Sequence, residues 1–224
     1  MGTATLESPR WNRLRIELHR TQTTQGEVSI TLHTRNGAVG YVKNGELQTL
    51  VDAKGRNLAG HLDAAVELLK RNGASRVLML GYGGGAASGM LLREGIDVVS
   101  VDCDPRAERL AQLFFRAPPS LSVIVDDAAN FVTAAPSASF DAVLVDFQDS
   151  FATPGPYLSG TFWRSIVRLM RPQGIVVTNV VNWVHLGPDW PLLRAAQRAA
   201  GLDSVDLSEE FETGNRLLVA SCAR

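Results

Sequence analysis

The chain has 224 residues, 45% of them hydrophobic, with a formal net charge of −1. That length accommodates one large domain, or one domain with a small appendage, around a sizeable core. The near-zero charge, without clustered Lys and Arg, argues against a nucleic-acid partner. No apolar run approaches the ~20 residues that span a bilayer. Met1–Thr5 has neither a basic nor an apolar leader region, so the expectation is a cytoplasmic protein without a membrane partner.

In chain order, Met1–Gln25 is polar and carries no clear pattern. Val28–Thr34 alternates with period two, Asn36-Gly37 is a turn signal, Ala38–Val42 is a second short strand, and Asn44-Gly45 opens another hairpin arm. Residues 1–55 are therefore expected to hold a small N-terminal antiparallel β unit. From Asn57 to Lys70 the residues Leu58, Leu62, Ala65, Val66 and Leu69 fall at helical spacing, and Asn72-Gly73 closes the helix. Strands over 76–80, 97–102, 121–125, 141–146, 174–180 and 216–221 then alternate with helices. Over residues 56–224 that is the pattern of an α/β, doubly wound, Rossmann-like sheet.

The densest signal lies at the end of the first of those strands. Arg76–Leu80 runs into Gly81-Tyr82-Gly83-Gly84-Gly85. A turn there takes unusual dihedrals and leaves no Cβ between backbone N–H groups and a ligand. Asp102 ends the next apolar run twenty-one positions after Gly81, where a carboxylate can accept from both hydroxyls of a ribose. This pair implies a ligand of the adenosine type. Two further apolar runs also end in acid, Leu121–Val125 in Asp126-Asp127 and Phe140–Val145 in Asp146, with Asp149 beyond it. Strand-end acids often do no more than cap solvated loops, but three in succession point to a site.

This order resembles the spermidine synthase (aminopropyltransferase) family. The matching motifs are the Gly-rich turn, Val101-Asp-x-Asp-Pro105, Asp126-Asp-Ala128 and Phe140-Asp-Ala-Val-Leu-Val-Asp-x-x-Asp149, preceded by Asn44-Gly-x-Leu-Gln48. The family has the class I S-adenosylmethionine-dependent methyltransferase fold, and the similarity runs from about Val39 to Asn182. The resemblance implies that Asp102 holds the ribose, that Asp127 accepts from the adenine amino group, and that Gln48 and the glycines Gly81, Gly83, Gly84 and Gly85 line the cofactor pocket. It assigns Asp146 and Asp149 to the family's catalytic pair, the first deprotonating the attacking amine at the cofactor. A homodimer is expected on the same basis, the β unit offering edges for pairing.

The departures shape the functional expectation. Where the family carries Gly-Gly-Gly-Asp-Gly-Gly, this chain has Gly81-Tyr-Gly-Gly-Gly-Ala86, so the aspartate that contacts the amine of decarboxylated S-adenosylmethionine is Gly84 here. The family's Tyr-centred motif before its first core helix is replaced by Gly55-Arg-Asn-Leu-Ala-Gly-His61. The sequence also ends early for the family, leaving little material for a gate over a polyamine. The expected activity is methyl transfer from intact S-adenosylmethionine to a small-molecule acceptor. Aminopropyl transfer from the decarboxylated cofactor is the alternative, and a non-catalytic nucleoside- or NAD-binding protein is a third reading.

The remaining candidates carry plainer readings. His19, His33, His61 and His185 are scattered without metal-ligand spacing, so no metal site is expected. His61 lies near the start of the first helix, where the resemblance implies that cofactor and acceptor pockets meet, although a surface histidine on an amphipathic helix is the commoner case. Cys103 and Cys222 read as reduced residues of core strands. Asn179 and Asn182, after the fifth strand, either line an acceptor pocket or satisfy backbone groups. Phe147, Phe151, Tyr157 and Trp163 form a candidate apolar wall, although Phe162 and Trp163 also have the spacing of a core helix.

Overall fold

Period-two alternation sorts the central strands between two helical layers. In β5 (Arg76–Leu80), Leu78 and Leu80 enter one core cluster while Val77 and Met79 enter another. Strand β8 (Phe140–Val145) does the same with Val143 and Val145 against Ala142 and Leu144. Strands apolar on both faces belong to parallel sheets covered by helices. The computed structural model describes residues 14–23, 26–147, 153–180, 189–207, 211 and 215–222. It places these strands in a seven-stranded sheet, ordered β10-β11-β9-β8-β5-β6-β7. The remaining members are β6 (Asp97–Asp102), β7 (Val123–Val125), β9 (Met170–Val180), β10 (Leu202–Leu207) and β11 (Arg216–Cys222). The pairs from β7 through β9 are parallel, and β9, β11 and β10 pair antiparallel.

Helices α1 (Gly60–Arg71) and α2 (Ala86–Arg93) cover one face through Leu62, Ala65, Leu69 and Leu91. The opposite face is covered by α4 (Ala128–Ala134), α5 (Gly160–Leu169) and α6 (Trp190–Ala199), with Trp163 and Ile166 fully buried. A fully buried side chain of that size contributes about 1.5–3 kcal/mol of hydrophobic stabilisation, so this face anchors the domain. No helix among the described residues is long and apolar enough to cross a membrane.

A separate four-stranded antiparallel sheet precedes this one, formed by β1 (Arg15–Thr23), β2 (Gly26–His33), β3 (Val39–Lys43) and β4 (Glu46–Val51) in sequence order. Asn44 and Gly45 both take positive φ, 50° and 84°, as a primed hairpin turn between β3 and β4 requires. Val28, Ile30, Tyr41 and Val51 pack on Leu110 and Phe115 at α3 (Ala107–Phe114).

Several expectations need correction. Part of the patternless N-terminus is strand β1, whose side chains are mostly exposed; an edge strand with little buried surface has no apolar alternation to read. Strand β10 turns Leu202 and Ser204 inward, and a buried serine breaks the pattern. Helix α1 starts at Gly60 because Asn57 folds the preceding turn, its Oδ1 accepting from the Ala59 N–H. The strand expected over 174–180 begins at Met170, with Arg171–Gly174 an irregularity within β9, since Phe140 pairs with Met170 but Ala142 with Ile175. Cys103 follows β6 and is half-buried, not a core strand residue.

Candidate active site

The chain runs outward from β5 through β6 to β7, then returns on the other side of β5 as β8. In such sheets ligands bind outside the C-terminal strand ends, where the order reverses. Gly81 and Asp146 occupy that point. Gly81 has φ +92°, and a Cβ on it would lie 2.3 Å from the Asp146 carbonyl oxygen and 2.9 Å from the Phe147 nitrogen. Only glycine permits this approach of the two chains.

The glycine turn differs from expectation in where its donors point. Tyr82 N–H donates to Asp102 Oδ2 at 2.8 Å, Gly83 N–H reaches the same oxygen at a weaker 3.4 Å, and Gly84 N–H donates to Thr49 Oγ1 at 3.0 Å. Gly85 N–H donates to the Tyr82 carbonyl. These four groups are satisfied within the protein, not directed at a ligand. The space beside Gly84 is also filled, since a Cβ there would meet Thr49 Cγ2 at 2.9 Å and the Phe115 ring at 3.0 Å. Thr49 neighbours Gln48, the extra residue of a β-bulge in which Tyr41 pairs with Thr49 and Val42 with Leu47. Bulges re-aim a side chain out of the ladder.

Asp102 is half-buried and ties the turn to its own strand. Besides the turn donors on Oδ2, its Oδ1 accepts the Asp104 N–H at 2.8 Å. A carboxylate offers about four acceptor positions, so one on Oδ1 is left for a hydroxyl. Asp127 is the N-cap of α4, its Oδ1 accepting from Ala129 and Asn130 N–H. The plain reading of Asp127 as a cap thus holds for one oxygen, while Oδ2 has no protein donor among the described residues. Asp104 gave no separate signal in the sequence. It is buried and accepts from Arg106, whose Nη1 crosses to Thr21 Oγ1 and the Gln22 carbonyl, pinning the small sheet beside the strand ends.

Asp146 is held differently. Its Oδ1 accepts from Asn179 Nδ2 at 2.6 Å, and Asn179 Oδ1 accepts from Asn215 Nδ2 at 2.9 Å. Burial pushes the Asp146 carboxyl up to about 7, against the lowering effect of the Asn179 donor. Asp149, the expected partner of Asp146, lies outside the described residues. The Tyr157 hydroxyl shares its one proton between the Phe147 and Asn179 carbonyls, 2.9 and 3.0 Å away, so the strand end rests on an aromatic floor. In that floor Phe147 lies edge-on to Tyr157 and Phe162. Phe151, Asn182, Trp183 and His185 lie outside the described residues. Asn179 is a buried bridge whose side chain serves neither of the two roles expected for it. Asn215 was not anticipated, because nothing local marks a lone asparagine before a strand. His61 is buried and not at the surface. Desolvation lowers it to about 4, and it packs edge-on to Phe211 at 6.1 Å.

Comparison with known proteins agrees with this topology. A family model described as a methyltransferase domain matches residues 78–178. The chain is 31% identical over 167 residues to a polyamine aminopropyltransferase of Mycobacterium tuberculosis, covering 62% of this chain and 32% of that protein. It is 29% identical to putrescine N-methyltransferase 3 of Nicotiana tabacum, covering 50% of this chain and 32% of that protein. The chain therefore spans about a third of the length of these curated relatives. Spermidine synthase from Thermotoga maritima shares the fold, with a TM-score of 0.76 at 14% identity over 92% of this chain and 73% of that one.

Proposed function

We propose that this chain, a spermidine synthase-like protein with the S-adenosylmethionine-dependent methyltransferase fold, transfers a methyl group from intact S-adenosylmethionine to a small-molecule acceptor. The observation that carries this reading is the neutral lining of the turn at Gly84, where Thr49 and Phe115 take the space a side chain would need. A carboxylate at that point would oppose the carboxylate of the intact cofactor by about 4 kcal/mol at 4 Å and an effective dielectric near 20. Without it, that cofactor meets no such penalty. The donor and acceptor set fits the adenosyl part, because Asp102 Oδ1 and Asp127 Oδ2 keep acceptor positions for hydroxyl and amino protons. In this reading Gln48, Gly81, Gly83, Gly84 and Gly85 shape the pocket wall.

The cofactor supplies an electrophilic methyl whose carbon–sulfur bond breaks with its electron pair onto sulfur as the acceptor's heteroatom takes the carbon. The protein's part is alignment and a base. Asp146, with a carboxyl near 7, takes the proton that leaves the acceptor, and Asp149 is its expected partner. A putrescine N-methyltransferase among the relatives supports methyl transfer on this scaffold. The similarity to polyamine aminopropyltransferases supports the second reading, aminopropyl transfer from the decarboxylated cofactor. A cytoplasmic homodimer belongs to the same proposal.

Calorimetry with both cofactor forms, followed by mass analysis of an amine mixture incubated with each, tests the choice. The expected result is tighter binding of the intact form and a product heavier by one methyl group; tighter binding of the decarboxylated form and an aminopropyl product would overturn it. Gly84→Asp should weaken intact-cofactor binding more than Gly84→Asn does. The two side chains have the same shape and meet the same crowding from Thr49 and Phe115, so the difference reads charge. Asp146→Asn should lower turnover by roughly 10²–10⁴ with cofactor affinity nearly intact.

A further inference from the structure

Asn215, Asn179 and Asp146 come from the residue before β11, from β9 and from the end of β8, and their side chains form one directed chain. Asn179 and Asn215 are only 2% and 5% exposed, so each depends on protein partners for its hydrogen bonds. A side-chain amide has one accepting and one donating end. With Asn215 donating to Asn179 Oδ1, the Asn179 NH2 must face Asp146. Turning that amide over would set two NH2 groups against each other and an amide oxygen against the carboxylate. The backbone of Asn179 is fixed as well, its carbonyl accepting from the Tyr157 hydroxyl, while the Tyr157 carbonyl accepts from Trp163 Nε1 at 2.8 Å.

We infer that Asn215 and Asn179 are positioning residues that keep Asp146 Oδ1 as a hydrogen-bond acceptor, so that the proton leaving the substrate's heteroatom is taken on Oδ2. This rests on the reading of Asp146 as the base. An oxygen already accepting a short N–H bond is the less basic of the two. Among the described residues, the groups around Asp146 add little competing charge. The β5 end presents Gly81 backbone, β9 presents the Asn179 amide, and the turn before α5 presents the Tyr157 hydroxyl, a titratable group that the Asp146 field pushes higher still. Among the described residues no cation contributes to the Asp146 shift.

The test uses the full chain with two substitutions and two readouts. In Asn215→Asp the new carboxylate only accepts, so it draws the Asn179 NH2 to itself and turns Oδ1 toward Asp146. The basic form of Asp146 is then disfavoured, and the acid limb of the kcat/KM–pH profile moves up by about one unit, with kcat/KM near neutrality falling about fivefold. Asn215→Leu removes the anchor without reversing it and moves the limb less. Independently of turnover, the side-chain amide resonances of Asn179 in ¹⁵N spectra should titrate with Asp146 from about pH 5 to about pH 9, and this titration should vanish in Asp146→Asn. The inference fails if both Asn215 variants, folded by circular dichroism, keep the wild-type limb. It also fails if the Asn179 resonances ignore pH in the wild-type protein, which decides the matter should Asn215→Asp not fold. An intact titration in a protein that transfers no methyl group sinks the proposed function and leaves the positioning standing.

Discussion

At the end of β5 the polar contacts run from backbone N–H groups to side chains of two other strands, Asp102 on β6 and Thr49 on β4 of the small sheet. At the end of β8, one strand away, they run from side chain to side chain across three strands. The first arrangement fixes the path of the chain and leaves acceptor positions outward. The second fixes the ionisation and orientation of one carboxyl. In the proposed function the first is the cofactor end, a matter of backbone shape, and the second the acceptor end, a matter of side-chain chemistry. Gly81 is where the two meet, because its missing Cβ lets the Asp146 backbone close on the turn.

The substitution that would disturb both ends at once is Gly81→Ala. Its Cβ would sit 2.3 Å from a backbone oxygen, at φ +92°, so the strand ends must part. A loss of about 3–5 kcal/mol in denaturant unfolding is expected, the range for overpacking combined with a forced dihedral. A loss below about 1 kcal/mol would mean the two ends are not mechanically joined.

Asp102→Ala separates the ends. It removes the acceptor of the Tyr82 N–H together with the proposed ribose contact, and cofactor binding should weaken by roughly 1.5–3 kcal/mol in calorimetry. The Asp146 titration should be unmoved, since Asp102 is not among the causes of its shift. A shift of that titration in the Asp102 variant would show that the two ends are electrostatically coupled.

The same contrast explains what the sequence discloses. The turn, Asp102 and the strand ends are legible because glycine clustering, apolar runs and their spacing are local signals. The relay on Asp146 is not, because residues 146, 179 and 215 are joined only by strand order, and an asparagine in a strand reads the same whether it faces a ligand or another amide. His61 misleads for a related reason. At the start of an amphipathic helix it looks exposed, but Phe211 comes from the chain's far end to cover it. The surroundings of Gly84 are illegible for the same reason, since its neighbours Thr49 and Phe115 belong to segments the turn's own sequence does not mention.

The smallest effect expected is one of sign. Asp146 is raised from 3.8 to about 7 by burial. Its contribution to stability is present below about pH 4 and lost as pH rises toward 7. His61 is lowered from 6.5 to about 4, also by burial. Its contribution is present above about pH 6.5 and lost as pH falls toward 4. The two slopes oppose each other across the same window, so the unfolding midpoint of the wild-type protein should vary little there on their account. Asp146→Asn should leave the His61 slope exposed, with stability falling on acidification by on the order of 1–2 kcal/mol after allowance for screening. His61→Leu should leave the Asp146 slope exposed, with stability falling as pH rises by a similar amount. Denaturant titrations at both ends of the window for the two variants measure this. Slopes of the same sign would show that one of the two groups is not buried as its neighbours require, and if that group is Asp146, its value as a base near neutral pH goes with it.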